Sequence, residues 1–256
     1  MSQIEARIVV ILIFASVLAG CSGAPQSVPI EERQQPPSRD LRLHIVSRDE
    51  TLYSIAFRYE KSVAQLARIN GITQPYVIYP GQRINLTDQA GSSSSNPASY
   101  RPAEPAGPVT TSTTPTRTVD QTRRLANVSL PTNVATWQWP LQGRVTRAFG
   151  GSEPISKGIS IAGEVGDDVA ASAAGVVVYG GAGLRGYGNL LIVKHSDTFL
   201  TAYAHNSELL VEEGDEVRQG QVIARVGQNG DGESELYFEV RENGTPVDPI
   251  RFLPAR

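Results

Sequence analysis

The chain has 256 residues, 40% of them hydrophobic, and its 23 Lys/Arg against 26 Asp/Glu give a formal net charge of −3. That balance suits one or two modest folded domains and not a polytopic membrane protein. With 13 Lys/Arg against 10 Asp/Glu in residues 1–132 and 10 against 16 in residues 133–256, neither half forms the basic stripe of a nucleic-acid binder. One cysteine excludes an intramolecular disulfide framework and every multi-thiolate zinc site, and three histidines leave a hydrolytic metal site little room.

The amino terminus opens on a short polar start with Arg7, then an apolar run from Ile8 to Leu18, then Ala19, Gly20 and Cys21. A run of about 11 residues falls short of the ~20 that span a bilayer, so it reads as an export signal and not as a permanent transmembrane helix. Cleavage at a small residue would leave Cys21 as an incidental thiol, which is hazardous in an oxidising compartment. Leu-Ala-Gly-Cys resembles the bacterial lipobox. That resemblance implies that residues 1–21 end at a lipidated Cys21, held to the bilayer by several acyl chains where one would be marginal. Ser22 follows, not the Asp that favours inner-membrane retention, so the implied location is the periplasmic face of the outer membrane of a Gram-negative bacterium.

Residues 22–40 are polar and proline-containing and read as a tether. Residues 88–132, with Ser92–Ser95 and "PASYRPAEPAGPVTTSTTPTRT", cannot bury enough surface to fold. As a flexible coil of ~45 residues, the second tether has a typical span of roughly 35–40 Å. Between them, residues 41–87 carry helical periodicity: Leu52, Ile55, Ala56 and Tyr59 stand at i, i+3, i+4 and i+7, and Val63, Leu66 and Ala67 repeat the pattern. Ser62 with Gln65 starts the second helix as a capping box, and Asn70-Gly71 ends it. His44–Val46 and Arg83–Leu86 are flanking strands, giving β-α-α-β.

"TLYSIAFRY", "SVAQLARIN" and "VIYPGQRINL" make this segment resemble the LysM module, which binds the N-acetylglucosamine-containing glycan strands of peptidoglycan and chitin. Asp49, Glu50, Thr51 and Leu52 replace the family's usual Gly-Asp-Thr-Leu. Asp tolerates left-handed turn geometry, so the turn is expected to survive. The family's groove implies glycan contact at Asp49, Glu50, Thr51 and Leu52 and along Ile72–Gly81, with Ile72, Ile78, Pro80 and Gly81 foremost. A purely structural role in closing the fold is the alternative for each. His44, in the first strand, reads as structural.

Residues 133–256 change texture. "GVVVYG" at 175–180, "LLIVKH" at 190–195 and "QVIARVG" at 221–227, separated by glycine-rich turns, mark an all-β domain. Trp137 and Trp139 read as packing anchors at its entrance, with an exposed binding platform as the alternative. Glu212, Glu213, Asp215 and Glu216 read as an ordinary solvated turn.

Through "WQWPLQGRVTRAFG", "SKGISIAGEVGDDVAASAAGVVVYGG", "RGYGNLLIVKHSDTFLTAYAH" and "ELYFEVRENGTPVDPIRFL", this segment resembles the LytM, or lysostaphin-type, zinc endopeptidase domain, and more closely the NlpD/LppB lipoproteins in which that domain is degenerate. In active members zinc is held by the His and Asp of H-x-x-x-D and the second His of H-x-H, whose first His helps catalysis. Aligned through Gly158-Ile159 and through Phe238-Glu239, those pairs fall on Ser156 and Ser160 and on Glu235 and Tyr237. His205 is the one catalytic-site match. A catalytic zinc needs about three protein ligands and one open position for water, and serine hydroxyls and a phenol are poor substitutes.

The resemblance implies no cofactor and no catalysis by this chain. If β-alternation holds through residues 199–205, Tyr203 and His205 share a face, as do Glu235, Tyr237 and Glu239, and together they line the old cleft as a partner groove. Glu233, Glu235, Glu239 and Asp231 make that edge acidic, favouring a partner with basic residues. Arg185 is either a turn residue or a further contact. Degenerate domains of this type imply activation of a periplasmic N-acetylmuramoyl-L-alanine amidase during daughter-cell separation. The competing readings are a passive peptidoglycan-binding anchor and a working zinc endopeptidase.

Overall fold

The computed structural model describes residues 42–87, 134, 136–150 and 157–256, so Cys21 and Ser156 lie outside the described residues. Among the described residues no helix is long and apolar enough to cross a membrane.

The first module runs β1 (Leu43–Ile45), α1 (Leu52–Arg58), α2 (Val63–Asn70) and β2 (Arg83–Asn85). The strands pair antiparallel with His44 opposite Ile84. Helix α1 starts where it does because Thr51 and Ser54 satisfy each other's exposed amides: the Ser54 amide donates to Thr51 Oγ1, and the Thr51 amide donates to Ser54 Oγ, both at 3.0 Å. Ser62 caps α2, and Gly71 ends it in the left-handed conformation at φ 63°. Asp49 does adopt that conformation, at φ 62°. Leu52, Ile55, Ala56, Leu66, Ile84 and Leu86 close a small core. His44 is structural: its ring sits 3.0 Å from the Tyr59 hydroxyl and 2.7 Å from Glu50 Oε2.

The second module is a sheet built from β3 (Val145–Arg147), β4 (Ile159–Ala162), β5 (Asp168–Ala170), β6 (Gly175–Gly181), β7 (Asn189–Lys194), β8 (Phe199–Leu209), β9 (Glu216–Val217), β10 (Val222–Gln228), β11 (Ser234–Glu242) and β12 (Thr245–Val247). Its main path is β3-β4-β11-β10-β8-β7-β6-β9, with β11 also paired to β8, β12 to β11 and β5 to β10. Leu191, Val193, Tyr203, Leu236, Phe238 and Val240 pack on one face. Trp137 seals that core edge-on against His195 and Phe199, with ring centroids 5.4 and 5.8 Å away. Trp139 donates its indole N–H to the Pro254 carbonyl at 2.8 Å.

The opposite face is also apolar. Val178, Leu190, Ile192, Leu200, Ala202 and Ala204 are buried there together with Tyr53 and Phe57 of α1. The uninterrupted apolar runs at 175–180 and 190–193 are thus strands covered on both sides, a pattern that differs from the alternation of a half-solvated sheet. Burying each large side chain contributes about 1.5–3 kcal/mol, and here part of that contribution comes from the first module.

Candidate functional site

Three strands meet at the candidate cleft. Tyr237 of β11 is the register partner of Ser160 on β4 and of Ala204 on β8. Ser160, Glu235, Tyr237 and His205 are all buried, the most exposed being His205 at 6%. The Tyr237 ring fills the space over the 157–160 segment so closely that a Cβ on Gly158 would stand 3.0 Å from its Cζ.

His205 reaches this cluster by a break in its strand. Its φ of 63° is left-handed, a conformation that costs a non-glycine residue of order 1 kcal/mol or more. Its amide leaves the sheet ladder and donates to the Tyr187 carbonyl at 2.9 Å. Its Nε2–H donates to the Gly186 carbonyl at 3.2 Å, which fixes the ring. The imidazole then lies 5.9 Å from the Tyr237 ring centroid, with Nδ1 3.5 Å from Glu235 Oε1. That Nδ1 is buried and makes no hydrogen bond to any described residue.

Tyr203 is not in the groove, which corrects the expectation from alternation. It is fully buried on the other face, its hydroxyl accepting from the Ser172 amide at 2.8 Å and bonded to Thr201 Oγ1 at 3.0 Å. The two residues point oppositely because the left-handed turn at His205 cancels one step of the alternation.

Glu235 is the charged centre of the cluster. Burial pushes its carboxyl up, but His205, the Asn229 amide (3.1 Å to Oε1), the Arg147 guanidinium (3.8 Å) and Ser160 together hold it below its ordinary value. Arg147 also donates to Glu233 at 2.6 Å, so the acidic edge already carries a basic partner. Burial, with the Glu239 charge adding to it, pushes the Tyr237 phenol far above its ordinary range, so it stays neutral. A neutral phenol, a serine hydroxyl and a carboxylate engaged by Asn229 and Arg147 do not fit a catalytic zinc, and Ser156 lies outside the described residues.

Glu239 belongs elsewhere than the open groove. It is fully buried, accepts from Arg241 Nε at 2.7 Å and from the Tyr237 hydroxyl at 3.3 Å, and burial raises its carboxyl in spite of Arg241. Arg185 is exposed in the loop that supplies Gly186 and Tyr187, with no hydrogen bond or ion pair to any described residue. Asn229, Arg147 and Tyr187 complete the site, and sequence reading missed all three. Their signal is weak, because ordinary turn and strand residues acquire these roles only through folding.

In the first module, Leu52 is 1% exposed and belongs to the core, which corrects its assignment to the sugar face. Glu50 is committed to His44, the Ser47 amide and Arg58. Asp49, Pro80 and Gly81 are exposed, while Ile72 and Ile78 pack partly against the core. Thr51 caps α1, and its Oγ1 also donates to the Val178 carbonyl of β6 at 3.2 Å. Glu213, read as a solvated turn residue, accepts from the Gly180 amide at 3.1 Å. Burial, with the Asp49 charge adding to it, raises its carboxyl to about 7.

Comparison with known proteins agrees with this layout. The LysM domain profile matches residues 44–87 and the Peptidase family M23 profile matches residues 154–249. The chain is 39% identical to the "Lipoprotein NlpD/LppB homolog" of Pseudomonas aeruginosa over 95% of this chain and 90% of that protein. It is 36% identical to the "Uncharacterized lipoprotein YgeR" of Escherichia coli over 97% of this chain and 93% of that one. It is 34% identical to the "Murein hydrolase activator NlpD" of Escherichia coli over 83% and 68%. With a LysM module followed by an M23-type β-domain, and with this identity running through nearly its whole length, the chain belongs to the NlpD/LppB family of lipoproteins.

Proposed function

We propose that this protein is a non-enzymatic, lipid-anchored component of the outer membrane that binds peptidoglycan glycan strands through residues 41–87 and activates a periplasmic N-acetylmuramoyl-L-alanine amidase through residues 133–256. The observation that carries the reading is the cluster of Ser160, Glu235 and Tyr237: by the aligned motifs, a bulky neutral phenol would take the place of a ligating histidine of an M23-type domain, and an engaged carboxylate that of the neighbouring catalytic histidine. The relatives' description as murein hydrolase activators supports a partner enzyme as the source of hydrolysis. His205 brings a buried ring nitrogen to within 3.5 Å of Glu235 beside an acidic rim, an arrangement suited to a polar, basic partner segment.

In physical terms, an activator works by binding the open form of its enzyme more tightly than the closed form; a hundredfold shift requires about 2.7 kcal/mol of differential binding. Residues 22–40 and 88–132 act as tethers that let anchor, wall-binding module and activating domain engage together. The test is to mix residues 133–256 with the cognate purified amidase and dye-labelled peptidoglycan. Dye release should rise above that of the amidase alone, and no rise would leave the passive anchor as the reading. Chelator-sensitive cleavage of wall peptides by this chain alone would instead make it an endopeptidase.

A further inference from the structure

Arg241 is 1% exposed, and its surroundings are completed by the other module. Its Nε donates to Glu239, its Nη1 donates to the Phe57 carbonyl in the last turn of α1 at 2.5 Å, and its guanidinium carbon lies 3.5 Å from the Phe57 ring centroid. The Phe57 ring meets Tyr187 edge-on at 5.5 Å, and Tyr187 meets Tyr237 at 5.8 Å, so the contact runs directly into the cleft. The rim is polar: Lys157 pairs with Glu60 at 2.5 Å, and Arg58 Nη2 donates to the Gly183 carbonyl at 3.3 Å. At the turn after β11 the backbones nearly touch, and a Cβ on Gly244 would stand 2.3 Å from the Lys61 carbonyl carbon.

This contact draws on the turn that a glycan would use. Thr51 Oγ1 is spent on the Ser54 amide and the Val178 carbonyl, and Asp49 lies within electrostatic reach of Glu213. A sugar entering that turn needs the hydroxyl and the space that β6 and the 212–215 turn now take.

We infer that the sheet face around Arg241 is a docking surface for the chain's own LysM module, and that wall glycan competes with it for that module. Docked, the module covers one end of the cleft; engaged with the wall, it leaves Tyr187, Glu239 and Arg241 open to solvent or to a partner. The buried Arg241–Glu239 pair makes release feasible, because hydration of both charges on opening offsets much of the apolar burial that is given up. Competition of this kind weakens apparent glycan affinity by the docked fraction: a docked-to-free ratio of ten lowers it about elevenfold.

The inference rests on the glycan-binding reading, and the test separates the two. Gly244→Asn places a side chain against Lys61 while keeping a residue that tolerates positive φ. Binding of an N-acetylglucosamine pentasaccharide to the full-length chain in detergent is measured by calorimetry, with hydrogen exchange at residues 176–181 followed alongside. Gly244→Asn should bind about tenfold tighter than wild type, Phe57→Ala should do likewise, and the pentasaccharide should speed wild-type exchange at 176–181. A gain in affinity cannot come from misfolding. Equal affinity of all three chains, with exchange at 176–181 unmoved by sugar, overturns the competition and leaves glycan binding intact. No binding by any of them defeats the glycan reading and the competition with it.

Discussion

His205 Nδ1 stands 3.5 Å from Glu235 Oε1, and the two meet only because the His205 backbone is left-handed at φ 63°. A regular strand would have sent the ring to the opposite face with Tyr203. Such a conformation persists in a non-glycine residue when surrounding contacts hold it, here the Gly186 and Tyr187 carbonyls. His205→Asn keeps a residue tolerant of this backbone while removing the imidazole. If the ring contacts the partner, amidase stimulation in the dye-release assay drops about tenfold, matching the loss of roughly 1.4 kcal/mol of binding, while thermal stability changes by only ~1 kcal/mol. Full stimulation by the variant would remove His205 from the partner surface.

Glu50 anchors the first module. Burial opposes its charge, but the His44 ring, the Ser47 amide and Arg58 outweigh burial and bring its carboxyl down to about 2. A carboxyl held below its unfolded value contributes stability that is present above pH ~4.5 and is lost as pH falls towards 2. Glu50→Gln should therefore cost residues 41–87 about 2–3 kcal/mol at pH 7, and the difference from wild type should shrink steadily below pH 4. Circular dichroism melts across pH 2–7 measure it; a cost that does not depend on pH would mean that charge is not what Glu50 supplies.

The sign reverses at Glu213, whose carboxyl is raised to about 7 by burial and by the Asp49 charge. The folded chain then holds a proton that the unfolded chain has released, so stability falls as pH rises from ~4.5 to ~7 and the full cost remains above 7. Glu213→Gln keeps an acceptor for the Gly180 amide and has no charge to bury. It should match wild type near pH 4.5 and exceed it by about 1–2 kcal/mol at pH 8. Melting curves at the two pH values decide the matter, and equal stability at pH 8 would count against a buried proton.

Cys21→Ala tests the anchor without any structural input. Metabolic labelling with a radioactive fatty acid should mark the wild-type chain and not the variant, and the variant should move from the membrane fraction to the soluble periplasmic fraction. Persistent label would end the lipoprotein assignment for Cys21.

Several features were legible in the sequence because their causes are local. The stripe Leu52, Ile55, Ala56 and Tyr59, the Ser62 cap and the Gly71 stop depend on residues within one or two helical turns, and each stands where the pattern put it. Asp49 was expected to tolerate a left-handed turn and does so. The capping box of α1 is as local as the Ser62 cap of α2, where only the Ser62 half of the expected box forms, but it pairs Thr51 with Ser54 where Glu or Gln is usual, and so the sequence pattern does not reveal it. Strand alternation placed Leu236, Phe238 and Val240 opposite Glu235, Tyr237 and Glu239 correctly, since nothing interrupts β11 there. It failed at His205, where contacts with residues 186 and 187 impose a backbone that no strand periodicity encodes.

By itself, then, the order of residues settled two folded textures and the family they belong to, both of which follow from short-range pattern and side-chain chemistry. Which side of β8 His205 faces, what the buried carboxylates of Glu235 and Glu239 pair with, and what covers the second apolar face of the sheet were decided only by tertiary structure. Each depends on groups brought together from afar, as when Arg241 donates to the carbonyl of Phe57 across 184 residues of chain. The free energy of a buried charge is set by its neighbours in space and not by its neighbours in sequence.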